Sequence, residues 1–435
     1  MSNHQAIVAR VTEVLDIYGA DRVQISVVLG EQCVTHKGVK RGDVGILFPA
    51  DLQLSEKFCH ENNLNRDKSL NKDTSKAGFF ESNRRVRAQP FLKIRSEALF
   101  MPLDSVSYTG VNVDDLVVGF TFDSLNGFEI CKKFLNKEKE SVTKNQVGSK
   151  KKKHLVPDFL EHVDTAHFKY SVHRINEGDI LFFHSKRHGT SGRSGYQRVY
   201  KSLGKFQSLA NKISNAIFGK SIYDDFEWKY VTGSRRVVLD DSKFKNGFHG
   251  SNDFRFDITE SLKPYLKKGY TFYYEIVGFV NGSSIMPKHD IRTLKDNLYL
   301  DKYGDEITYS YGCKEHEYKV FIYRITTQDE DGVIRDLSQR ELEEFCKARE
   351  LGYTLEIHAP VVYDGDEVKL RALVEELTER WDCLTEDHSD PRHLSEGIII
   401  RVENGKTTPL FLKSKSYAFR VCEGHETVGN LEDES

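Results

Sequence analysis

The residues with the clearest capacity for chemistry are Lys186-Arg187-His188-Gly189-Thr190-Ser191, which follow the apolar run Ile180-Leu181-Phe182-Phe183. A strand that ends in a glycine-bearing turn would hold the lysine amine in one place. Taken alone, a Lys-x-x-Gly tetrapeptide is more often an ordinary surface turn. Its weight comes from the groups downstream of it, in a fixed order: Arg235 and Arg236, Tyr274-Glu275-Ile276-Val277-Gly278, Val320-Phe321-Ile322-Tyr323, Glu396-Gly397-Ile398-Ile399-Ile400 and Lys413-Ser414-Lys415. A lysine, an arginine, two glutamates, an aromatic ring and a lysine pair, each on or beside a strand, suggest a site built for a nucleotide. A lysine attacks phosphorus only when neutral, and its reference pKa is about 10.4. Desolvation and neighbouring cations both lower it. The alternation of a strand puts Lys413 and Lys415 on one face, which suits a phosphate clamp or, more blandly, a solvated edge.

The elements that must position these groups are short strands mixed with helices. Residues 6–17, 22–30 and 44–48 alternate apolar and polar side chains, as half-buried strands do. The glycine-rich turn at 36–43 separates two of them, and the pattern suggests a small barrel or sandwich. Residues 51–85 read as a polar surface excursion, and further strands are expected within 86–103. Residues 136–157 are polar and basic, with little to bury, and read as a linker. Beyond it, Ser338 and Glu341 form a capping box for a helix that Gly352 should end. A second helix from about Glu367 carries Leu370, Leu373, Val374, Leu377 and Trp381 on one stripe, so that face is core. The expected division is therefore 1–135, a linker at 136–157, a second domain at 158–422 and an acidic tail at 423–435.

Composition limits the alternatives. The chain has 435 residues, 30% charged, and a net charge of −3, which disfavours non-specific coating of nucleic acid but permits local basic grooves. Candidates are Lys150–Lys153 and the segment 186–236, including Arg187, Arg193 and Arg236. No apolar run approaches the ~20 residues that span a bilayer. No secretory signal stands out, and seven dispersed cysteines favour reduced thiols, hence the cytoplasm.

The ordered series resembles the motif set of the covalent nucleotidyltransferases, the polynucleotide ligases and messenger-RNA capping enzymes. Lys-x-His-Gly followed by Thr-Ser is more similar to RNA ligases of the second family and the Deinococcus type than to DNA ligases, which usually carry Asp-Gly. The resemblance covers roughly residues 160–420, and the N-terminal part is similar to the OB-like domain of Deinococcus-type RNA ligases. It implies an α+β fold in which an N-terminal OB-like β-barrel precedes a nucleotidyltransferase domain of ATP-grasp-like antiparallel sheets with helices. It also implies ATP, Mg²⁺ or Mn²⁺, nucleic-acid ends as partner, and a monomer.

By the same resemblance Lys186 attacks the α-phosphate of ATP, and AMP passes to a 5′-phosphate before a 3′-hydroxyl displaces it. Glu396 would join a metal shell, and Glu275 would face the ribose hydroxyls. Tyr323, or Phe321 two residues earlier, would stack on adenine. Arg235 or Arg236 would clamp a phosphate, His188 and Gly189 would order the turn, and Lys413 and Lys415 would meet the phosphates. Ser185 stands where relatives carry glutamate, and Arg324 where many carry aspartate. Residues 194–228 look like an insertion with a helical part at 206–218. Twenty residues follow Lys415, fewer than a C-terminal OB domain needs. An ATP-dependent RNA ligase acting at nicks is thus expected. A DNA ligase, a capping guanylyltransferase and a non-catalytic RNA-binding protein are the rivals.

Overall fold

The computed structural model describes residues 5–50, 52–91, 94–134, 156–201, 203–218, 222–239, 254–290, 292, 300–301, 303–329, 331–379 and 394–422. The expected linker, apart from its last two residues, and the expected acidic tail lie outside these, as do Trp381 and Cys383.

In the N-terminal part the strand Ala6–Asp16 is the spine. Its first half pairs with Val44–Phe48 and its second half with Val23–Val28, with a register shift between Val11 and Glu13. The sheet continues to Glu31–His36 on one side and Leu99–Pro102 on the other, all antiparallel. The spine's alternation feeds two cores. Ala6 and Val8 pack with Ile46 and Phe48 on one face, while Ala9 and Val11 pack with Leu47, Val28 and Cys33 on the other. Residues 51–85 differ from the expected excursion. Ser55 caps the helix Glu56–Glu61, and Phe58, Leu64 and Phe80 are buried in the first of those cores. The polar composition misleads because two buried amides serve the backbone. Asn71 Oδ1 accepts from the Asn65 N–H at 2.9 Å, and its Nδ2 donates to the Asn65 carbonyl at 2.8 Å.

This part is tied to the rest by a charged contact. Lys169 Nζ lies 3.0 Å from Glu31, and the Tyr170 hydroxyl donates to the same carboxylate, which is 3% exposed.

Two sheets build the remainder. One has the order Ala166–His167, Leu410–Lys415, Gly397–Glu403, Ile180–Ser185 and Glu356–Val362, with a single parallel pair at its first edge. The other is antiparallel: Phe226–Gly233, Thr190–Tyr200, Thr271–Val280, Tyr318–Gln328 and Ile334–Asp336. Each sheet buries its outer face under helices. Leu181, Phe183, Ile398, Ile400 and Leu412 pack on Leu370, Val374 and Leu377 of the helix Glu367–Glu379. Phe272, Tyr274 and Ile276 pack on Ile258 and Leu342. Antiparallel sheets with segregated helices fulfil the α+β expectation. The capping box is present on Gln339–Lys347, but that helix ends at Ala348, four residues before Gly352. Gly352 is needed for another reason: a Cβ there would sit 2.4 Å from the Val320 carbonyl oxygen. The supposed insertion is smaller than 194–228, because Phe226–Gly233 pairs along its whole length with residues 193–200. The helix Lys205–Phe218 lies in the connection between them.

Candidate active site

The inner faces of the two sheets enclose a cavity of about 280 Å³. Strand alternation decides which side chains face it. The outer positions of Ile180–Ser185 are the core residues Leu181 and Phe183, so His184 and then Lys186 fall on the inner face. The neighbouring strands are in register, with Gly397 opposite Lys415, Ile399 opposite Lys413 and Arg401 opposite Phe411. The face therefore reads Lys186, Gly397 and Lys415 at one end and Arg401 with Phe411 at the other.

At the first end Lys186 Nζ contacts Glu396 Oε1 at 2.7 Å, and Lys415 Nζ approaches the same oxygen at 3.5 Å. His188 Nδ1 lies 3.5 Å from Glu396 Oε2. Glu396 is 3% exposed. Burial alone would raise its carboxyl, but the Lys186 charge, His188 and Lys415 outweigh burial and hold it at about 2. The lysine turn is fastened by the backbone. Lys186 N–H donates to the Gly397 carbonyl at 2.8 Å, and His188 N–H donates to the Tyr311 hydroxyl at 2.6 Å. Both glycines of the site are sterically required. A Cβ at Gly189 would lie 2.3 Å from the Ile276 carbonyl oxygen, and one at Gly397, where φ is +128°, 2.1 Å from that of Ser414. The His188 ring packs edge-on against Tyr309 and Phe419, so it is placed to order the turn.

The second sheet supplies Glu275, whose Oε2 accepts from the Ser191 hydroxyl at 3.0 Å. Burial pushes its carboxyl above the usual range, and Lys186 opposes this only in part. Burial, then the charges of Lys415 and Lys186, bring the Lys413 amine down to about 8. Arg235 lines the cavity and Arg236 does not, which separates the two. Arg235 pairs with Asp164 at 2.8 Å and Arg236 with the same carboxylate at 3.5 Å. Tyr323 lines the cavity and shares a hydrogen bond with His162. Phe321 is covered instead by the Arg187 guanidinium, 3.7 Å from its centroid.

Lys186, His188, Gly189, Arg235, Glu275, Tyr323 and Glu396 thus line one cavity, and Lys415 joins them through Glu396. Lys413 lies on the same inner face without lining the cavity. Arg187 lines it too, inside rather than on an outer groove. Arg193 differs from its expected place in a basic surface. It is 1% exposed, lies over Phe159 and donates to the Phe159 carbonyl at 3.0 Å, because its strand position points into the sheet.

The sequence reading missed several residues. Arg255 braces the lysine turn through the Ser191 carbonyl at 3.0 Å and the Thr190 hydroxyl at 2.6 Å. Tyr311, His162 and His184 have no sequence signal. Arg401 has one: it is the charged residue that ends the apolar run 398–400, at a position that alternation puts beside Ile399. Arg324 faces the cavity alongside Tyr323 because a bulge opposite Tyr273 and Tyr274 breaks the alternation.

No protein-family model matches the chain, and no curated protein matches it either. Solved structures do. A mutant of Naegleria gruberi RNA ligase with ATP and Mn superposes with a TM-score of 0.57 at 16% identity, covering 97% of this chain and 99% of that one. The same ligase with pyrophosphate gives 0.56 at 15%, covering 97% and 98%. Another mutant, with AMP and Mn, gives 0.51 at 15%, covering 96% and 98%. At these identities the likeness establishes that this chain shares their fold over nearly its whole length.

Proposed function

We propose that the protein is an ATP-dependent RNA ligase that joins 3′-hydroxyl and 5′-phosphate ends, at nicks in duplexes, through a lysyl-AMP intermediate. The observation that carries this reading is Lys186 Nζ at 2.7 Å from buried Glu396, beside Lys415, in the cavity that Glu275, Tyr323 and Arg235 also line. The likeness to a ligase solved with ATP, AMP, Mn and pyrophosphate supports it.

In the first step the Lys186 amine attacks the α-phosphorus of ATP, forms a P–N bond, loses a proton and expels pyrophosphate. The 5′-phosphate of the nucleic acid then attacks that phosphorus and takes AMP, restoring the lysine. The 3′-hydroxyl finally attacks the activated 5′-phosphate and AMP leaves. Each step is an in-line displacement, so position and charge carry the rate. The amine becomes a nucleophile only when its pair with Glu396 opens. Once it carries AMP it is no longer a cation, and Glu396 loses its closest partner.

A divalent metal fits this site sparingly. Among the described residues no group of three His, Cys, Asp or Glu side chains is arranged to hold one. A hard ion would take Glu396 as its protein ligand and phosphate oxygens or waters for the rest. When bound it would neutralise charge developing on the phosphates. The N-terminal sheet is read as the OB-like nucleic-acid-binding domain of residues 1–135, residues 158–422 as the adenylyltransferase domain, and the cytoplasm as the compartment. Arg235, which lines the cavity, is assigned to a phosphate, and Arg236, half-exposed beside it, to the nucleic acid.

Sealing of nicked duplexes tests the reading. With ATP and Mn²⁺, a nick with a ribonucleotide 3′-hydroxyl should be joined at least ~10-fold faster than an all-DNA nick. Equal rates would make it a DNA ligase, and no joining of either would leave a binding protein.

A further inference from the structure

The outer face of the second sheet carries a file of aromatic rings that the nucleotidyl-transfer reading has not used. Strand Thr271–Val280 pairs with Thr190–Tyr200 only as far as Gly195 opposite Thr271. Residues 196–200 continue past it and pair with 226–230: Tyr196 opposite Tyr230, Arg198 opposite Trp228 and Tyr200 opposite Phe226. Directly opposed residues share a face, and every second residue repeats it. One face of this ribbon is therefore five aromatic rings and an arginine. Tyr196 packs against the core of Phe272 and Tyr274, so the face is the one turned away from the cavity. Its rings are contiguous. Tyr196 and Tyr230 stack with centroids 4.4 Å apart, Trp228 lies 5.7 Å from Tyr196 and 6.3 Å from Phe226, and Phe226 lies 6.0 Å from Tyr200. Tyr230 is 41% exposed, and the other four rings are half-buried.

Lysines surround the same face. Lys263 Nζ lies 5.2 Å from the Tyr230 centroid and Lys268 Nζ 5.6 Å from that of Trp228. Lys263 pairs with Glu260, and Arg198 with Asp158 at 2.8 Å. Lys267 and Lys268, both exposed, add two charges without a carboxylate partner among the described residues. The other face of the ribbon shows what an ordinary solvated edge carries: Glu227 and Lys229 pair with each other at 2.6 Å. Half-exposed rings beside unpaired amines are complementary to a ligand with flat apolar faces and regularly spaced negative charge.

We infer that this face holds a single-stranded segment of the polynucleotide outside the cleft, with bases on the rings of Tyr230, Trp228 and Phe226 and phosphates on Lys263, Lys267 and Lys268. The inference rests on the proposed ligase reading for the polynucleotide being a substrate, and adds the form in which part of it is held. Bases in a duplex are stacked on one another and offer this face only their phosphates, whereas unpaired bases can splay onto the rings. A lysine that lies over a ring in the free protein has a flexible stem, so it can yield the ring to a base and turn to the phosphate. Stacking accepts any base, so binding here tolerates sequence. The location suits a strand that leaves the cavity. Phe226–Gly233 is the edge strand of its sheet. Arg235, which lines the cavity, is seven residues beyond Trp228, at most ~25 Å of extended chain. A strand passing Arg235 and rounding that edge would cover the distance in about seven nucleotides at the stacked spacing, and in fewer when extended.

The test titrates the whole protein, without ATP or metal, into a fluorescein-labelled single-stranded RNA of about 12 nucleotides and into the same RNA annealed to its complement, read by anisotropy. The single strand should bind at least ~10-fold more tightly than the duplex. Trp228→Ala should weaken the single strand ~10-fold, the scale of one lost base stack, and leave the duplex unchanged. Lys263→Gln with Lys268→Gln, which removes no ring, should lower the slope of log affinity against log salt by ~1.4, at ~0.7 for each phosphate released. Labelling of the protein by ATP should be the same in all three proteins. Equal affinity for single strand and duplex on the wild-type protein would overturn the inference, and this comparison needs no variant to fold. An unchanged affinity and salt slope in both variants would also overturn it. No binding of the single strand would overturn it too, and would leave the face as a contact for another protein. In each of these cases labelling by ATP would leave the lysyl-AMP reading standing, whereas ring-dependent binding by a protein that ATP never labels would uphold the face and remove the ligase.

Discussion

The two ends of the cavity solve opposite problems. At the lysine end the charges are gathered on one carboxylate before any ligand arrives. Glu396 collects Lys186, Lys415 and His188, so two lysines share one carboxylate, as the proposed triphosphate site would require. At the far end Arg324 and Arg401 are each neutralised by a carboxylate, and what remains is a set of hydrogen-bonding atoms with fixed directions. One end is organised for charge that moves during a reaction, and the other for shape and hydrogen-bond pattern that do not. The difference implies that damage at the far end falls on stability, and damage at the lysine end on rate.

The largest test of that contrast is Asp336→Ala. It leaves the Arg324 guanidinium buried without its carboxylate, which should cost ~3–5 kcal/mol, read as a fall in denaturant midpoint. A stability equal to wild type would mean that this pair is solvated and the contrast is wrong. At the lysine end, Glu396→Gln keeps the volume but loses the anchor of Lys186. Adenylate transfer to protein should drop ~100-fold or more with a smaller change in midpoint than Asp336→Ala gives. Gly189→Ala drives a methyl toward the Ile276 carbonyl oxygen at 2.3 Å. Displacing the turn by a fraction of an ångström should slow the same reaction, by up to ~100-fold, while tight binding of ATP by a trapped Lys186→Met background changes less.

The smallest effect concerns pH. In the free protein the Lys413 amine is lowered to about 8 by burial and by Lys415 and Lys186. Below pH 8 it is already a cation when the triphosphate arrives. Above pH 8 it is mostly neutral, so binding must take up a proton, and affinity falls as pH rises. Calorimetry in buffers of different ionisation enthalpy should show uptake of up to one proton near pH 9 and little at pH 7. Lys413→Met should abolish the difference.

The contrast also explains what could be read from the chain. The lysine end was legible because its residues keep period-two spacing: Lys413 with Lys415, and Glu396 just before an apolar strand. The glycines beside Lys186 and Glu396 are where backbones approach too closely for any other residue. The choice between Arg235 and Arg236 was not legible, because it depends on how the chain leaves the strand ending at Gly233. The far end was hidden for a related reason. Arg324 reaches the cavity through a bulge that breaks alternation, and the Arg324–Asp336 pair looks like ordinary charge in the sequence. Arg193 misled in the opposite direction, since an arginine in a basic segment gives no sign that its strand turns it inward. In the N-terminal part, residues 51–85 concealed a core helix because Asn65 and Asn71 satisfy backbone groups that apolar residues could not.

Peptide mapping after incubation with α-labelled ATP and Mn²⁺ probes the proposed lysyl-AMP most directly, because Lys186, Lys413 and Lys415 share one inner face and only Lys186 should react. An acid-labile AMP adduct is expected on the peptide containing Lys186, absent in Lys186→Met. An adduct on Lys413 or Lys415, or none on a folded protein, would contradict it.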